Sequence, residues 1–113
     1  MAYRTPKPRF AINGFVVAYH PTKRVVLHYY PRTRSEGFAV CLCEENWQVT
    51  TARGSGSLDS ALRIGEDVFD VAPEAWLIVS DDVEPWTQPT SKIFEQKRLG
   101  VLAELRRRQS EFA

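Results

Sequence analysis

A chain of 113 residues, 43% apolar and 26% charged, has the size and composition of one globular domain that buries its own core, which excludes global disorder. No apolar run approaches the roughly 20 residues that span a bilayer, and MAYRTPKPRF lacks the apolar segment of a signal peptide, so the expected setting is cytoplasmic. Net charge is +1, yet residues 1–34 carry seven cations and no acid, residues 35–90 carry eleven acids against Arg53 and Arg63, and the last 23 residues hold six cations against three acids.

Residues 1–9 contain two prolines and no hydrophobic period, so they read as a basic extended arm, with residues 10–113 as a single α+β domain. Phe10–Tyr19 and Arg24–Tyr30 are rich in β-branched and aromatic residues and predict a hairpin turning at His20-Pro21-Thr22-Lys23. In that register Tyr19 faces Arg24, Val17 faces Val26 and Phe15 faces His28. One face then carries Phe15, Val17, Tyr19, Arg24, Val26, His28 and Tyr30. The other carries Val16, Ala18, Val25, Leu27 and Tyr29, and is the better core, because Arg24 and His28 are costly to bury.

Phe38–Cys43 and Trp47–Ala52 predict a second hairpin turning at Glu45-Asn46. There Phe38, Val40, Leu42, Trp47 and Val49 share a face, and Cys41, Cys43, Gln48 and Thr50 share the other. Arg53-Gly54-Ser55-Gly56 reads as a flexible link into the strongest pattern in the chain, Ser57–Val71. In it Leu58, Ala61, Leu62, Gly65, Val68 and Phe69 recur at the spacing of one helical face, Ser57 caps the start, and Pro73 follows the end. Ala75–Val79 predicts a short buried strand. Residues 80–89 form an acidic loop, and Thr90 to about Phe112 a long helix with Arg106, Arg107 and Arg108 in its last turns. Its apolar residues divide between Ile93, Phe94, Val101, Leu105 and Phe112 on one side and Leu99 and Leu102 on another.

The expected fold is α+β: an antiparallel sheet of about five strands in the order β-β-β-β-α-β-α, with a central amphipathic helix and a long C-terminal helix. A strand meander followed by a helix opening SLDSAL resembles, in element order alone, the HicB-type antitoxin and double-stranded-RNA-binding patterns.

Two classes of binding follow, and no enzyme motif competes with them: G-x-S-x-G, P-loop and H-E-x-x-H are all missing from the chain. The first is nucleic-acid binding with little sequence specificity, through the arm and first hairpin. Arg4, Lys7, Arg9, Lys23, Arg24, Arg32 and Arg34, with His28 beside them, would neutralise phosphates, and Tyr19, Tyr30 and Phe15 would form an exposed stacking platform for a single strand. The second is a protein-interaction module, such as a regulator, antitoxin-like protein or inhibitor of a larger complex. It would use Asp81, Asp82, Glu84 and Trp86 of the acidic loop, or Leu99 and Leu102 of the last helix. Apolar residues on both faces of the first hairpin, and the second stripe of the last helix, also predict a homodimer. Cys41-x-Cys43 with His20 and His28 lacks the second knuckle of a zinc site, so neither metal nor cofactor is expected.

Overall fold

The computed structural model describes residues 15–31, 36–80 and 92–111. The elements are β1 (Phe15–His20), β2 (Val25–Pro31), β3 (Glu36–Cys43), β4 (Val49–Ser55), α1 (Leu58–Phe69), a 3-10 turn at Pro73–Ala75, β5 (Leu77–Ile78) and α2 (Lys92–Ser110). They build an α+β domain on a five-stranded antiparallel sheet, ordered β4-β3-β2-β1-β5. The expected class and element order hold. No described helix is long and apolar enough to cross a membrane.

The first hairpin forms in a different register. Arg24 has φ 57°, so it belongs to the turn and not to a strand, and Val25 becomes the partner of His20. A bulge then interrupts the ladder between Val16 and Ala18, leaving Phe15 opposite Tyr29 and Val16 opposite His28. The extra residue, Val17, gives its carbonyl to the Val79 N–H at 3.1 Å. A slip of one residue exchanges the faces of a strand. Phe15 therefore joins Ala18, Val25, Leu27 and Tyr29 on one face, while Val16, Tyr19, Val26, His28 and Tyr30 share the other.

In the second hairpin the turn is wider than Glu45-Asn46. Glu44 N–H bonds the Gln48 carbonyl at 2.9 Å, and Trp47 N–H the Glu44 carbonyl at 2.8 Å, with Trp47 at φ 64°. β4 accordingly starts at Val49, which pairs with Cys43 instead of sharing the face of Leu42. It also runs further than expected. Arg53, Gly54 and Ser55 pair with Val40, Ala39 and Phe38, so the presumed flexible link is strand.

Both helices lie on the face of Phe15, Tyr29 and Phe38. Arg98 of α2 stands over the Phe15 ring at 5.8 Å, and Phe38 lines one cleft together with Leu58 of α1 and Val101 of α2. α1 covers β3 and β4, and α2 covers β1, β2 and β5. Ser57 caps α1 by accepting from Ser60 N–H at 3.2 Å, and Asp70 ends it in the left-handed region. Ala61, Leu62 and Gly65 are buried as the pattern predicts, but Val68 is 47% exposed. In α2 the buried stripe is Arg98, Val101, Leu102 and Leu105. Leu102 thus belongs with Val101 and Leu105, and Ile93 is exposed. Three consecutive turns aim these residues at one side, as helical spacing requires, so α2 has one core stripe and not two.

The opposite sheet face is also buried, although no described helix or strand lies over it. Val26, His28, Tyr30, Cys41 and Cys43 are all under 9% exposed. Sheets enclosed on both faces read as apolar throughout, and β2 does so.

Candidate functional site

The stacking platform expected of the first hairpin is not a surface. Phe15, Tyr19, His28 and Tyr30 are buried at 3%, 9%, 3% and 8% exposure, so none presents a ring face to a base. Enclosure of both sheet faces is the physical reason, and Phe15 alone also changes face with the register. Tyr19 packs edge-on to Trp47 at 6.1 Å, and His28 edge-on to Tyr30 at 4.7 Å. Burial lowers the His28 pKa to about 4 and raises that of Tyr30, so both rings are neutral in the sheet at pH 7.

The two described cations of this set are engaged within the fold. Lys23 reaches the end of α1, where it bonds the Asp70 carboxylate at 3.1 Å and the Asp70 carbonyl, complementing the helix dipole. Arg24 lies over the Trp47 ring at 5.0 Å. Arg4, Lys7, Arg9, Arg32 and Arg34 lie outside the described residues, as do Asp81, Asp82, Glu84 and Trp86 of the acidic loop.

Leu102 is fully buried and is no contact surface, while Leu99 packs half-buried against the core. Cys41 and Cys43 are buried free thiols on the His28 face, with burial raising their pKa values to about 12 and about 11. No group of three potential metal ligands occurs among the described residues.

What sequence reasoning missed is at the edge of the sheet. Among the described strands β4 is terminal, and Thr50, Thr51, Ala52, Arg53 and Gly54 are all exposed. An antiparallel edge strand turns alternate N–H and C=O groups outward, where they remain available to another extended chain. Natural edges are usually blunted by proline, several charged side chains, a central bulge or shortness. β5 at the other edge is two residues long. β4 is seven residues long, has no proline, carries a single charge at Arg53, and its one irregularity lies at the Leu42/Cys43 end of the ladder.

The helix above this edge adds an apolar flank. α1 turns Asp59, Arg63 and Glu66 towards α2: Asp59 meets Arg108, and the other two share a cleft of about 330 Å³ with Arg108 and Glu111. Ile64 and Val68, four residues apart, fall on the opposite side of the helix, above the β4 edge. Ile64 is half-buried, and Val68 is one of the large exposed apolar residues of the described chain. The signal was present in the sequence, in the polar run that follows Val49 and in Val68 at the margin of the helical stripe, but the end placed at Ala52 concealed it.

No family model matches the chain, and neither a curated protein nor a solved structure matches it.

Proposed function

We propose that this protein is a protein-interaction module whose contact surface is the open edge of β4 with the adjoining flank of α1. The observation that carries the reading is the continuous exposure of Thr50 to Gly54 on a seven-residue terminal strand that holds one charge and no proline. Such an edge binds by adding a strand: backbone hydrogen bonds supply affinity, and alternate side chains supply selectivity. Arg53, the one charged residue of β4, favours an acidic or hydroxyl neighbour across the new ladder. A photoreactive residue placed at Arg53 in living cells should form protein adducts, and one placed at Ala103 on the exposed side of α2 should not. No adduct from position 53, or equal yields from both, would contradict this reading.

A second reading keeps the phosphate half of nucleic-acid binding. Its support is the sequence itself, which places Arg4, Lys7, Arg9, Arg32 and Arg34 in a region without acids. Anisotropy of labelled single- and double-stranded oligonucleotides should then show binding that weakens steeply with salt. With the aromatic platform buried, no single-strand preference is expected. Absence of binding at low salt removes this reading.

A further inference from the structure

We infer that the partner of the β4 edge is a second copy of this chain, joined by antiparallel β4–β4 pairing about Ala52 with the two α1 helices side by side. The inference rests on the reading of β4 as a contact surface and names its occupant.

Three features point to self-pairing. First, the strand is complementary to itself. A two-fold axis at Ala52 pairs the full length of Val49–Ser55, setting Thr50 against Gly54, Thr51 against Arg53, and Ala52 against Ala52. The one charge then faces a threonine hydroxyl and not its own like, which would be repulsive.

Second, the distances fit. α1 lies over β3 and β4, so its axis sits about one strand spacing from the dimer axis. With strands about 4.8 Å apart, the two α1 axes would lie about 10 Å apart, which is the packing distance of helices. Ile64 and Val68 of each copy would then meet their equivalents, and the 47% exposure of Val68 is explained. A foreign strand alone would leave that flank uncovered.

Third, the assembly closes. Pairing of β4 with β4 is isologous and uses the one long edge, and the two-residue β5 is too short to propagate a fibre.

Sedimentation velocity of the full chain across the micromolar range tests this through variants that act in opposite directions. Thr51→Glu places a carboxylate opposite Arg53 twice per dimer and should tighten it roughly fivefold, whereas Thr51→Lys should weaken it by a similar factor. Val68→Asp should also weaken it. Thr22→Glu, which makes the same charge change in the exposed first turn, should leave the equilibrium where it was. A monomer at every concentration overturns the inference. So does a dimer indifferent to the Thr51 and Val68 changes. In either case adducts from position 53 with other proteins would leave the β4 reading standing, and their absence would remove both.

Discussion

His28 shows how a polar residue is accommodated inside this sheet. Sequence logic keeps histidine out of a core because burying a charge is expensive. The structure avoids that cost by burying the neutral ring, 3% exposed and edge-on to Tyr30, with desolvation lowering its pKa from 6.5 to about 4. The linkage has a definite sign. Below pH 6.5 the unfolded chain takes up a proton that the folded chain refuses until about pH 4. Stability contributed by the neutral form is therefore complete above pH 6.5 and falls by about 3 kcal/mol as pH drops through that window. Urea unfolding from pH 7 to 4 should show wild type losing more stability than His28→Gln by about that amount. Parallel curves would mean that His28 titrates normally in the fold. Which side of the hairpin His28 would occupy was legible from its alternation with Val26 and Tyr30. That the side is enclosed was not legible, because burial depends on what the rest of the chain places over it.

Two helical glycines should respond in opposite ways to the same substitution. Gly65 lies in the buried stripe of α1, where a Cβ would stand 2.8 Å from Trp76 Cζ2. Trp76 is 2% exposed, and its backbone carbonyl is held by Gln109 at 2.7 Å, so it has little room to move. Gly65→Ala should therefore destabilise the protein by about 1–3 kcal/mol through overpacking, outweighing the better helix propensity of alanine. Gly100, in the middle of α2, is exposed with nothing within 4 Å, and Gly100→Ala should stabilise by about 0.5–1 kcal/mol. Denaturation midpoints read both, and a shift of the same sign in the two variants would contradict the packing described. The sequence identified α1 well because cap, period and terminator agree there. The hairpins were harder. Arg24 and Trp47 adopt positive φ without being glycine, and the bulge at Val17 follows a carbonyl claimed by Val79, a partner 62 residues away. Local pattern carries no trace of such a contact. The last helix misled for a simpler reason: its apolar residues span a wide arc, and the position of the sheet decides which of them face inwards.

The whole molecule is asymmetric at its edges. Two helices close one face of the sheet, β5 ends one side after two residues, and β4 leaves the other side open beside Ile64 and Val68. The basic front and acidic middle suggested a molecule organised by charge. In the described residues part of that charge is paired within the fold, in Lys23–Asp70 and Arg108–Asp59, beside the Arg98–Glu95 pair inside α2. Most of these pairs are solvated and add little stability. They orient the hairpin turn and the two helices instead. The dimer expected from apolar hairpin faces and a second α2 stripe finds no support in those features, and the self-pairing inferred here uses a different surface.

Hydrogen exchange along β4, followed while the protein is diluted, distinguishes an edge paired with a second copy from a free one. Amides directed towards β3 should stay protected at every concentration, and the alternate, outward amides should be protected when the protein is concentrated and exchange freely when it is dilute. Outward amides that exchange equally fast at all concentrations would show that no second copy pairs with them. Protection of every β4 amide independent of concentration would contradict the open edge itself.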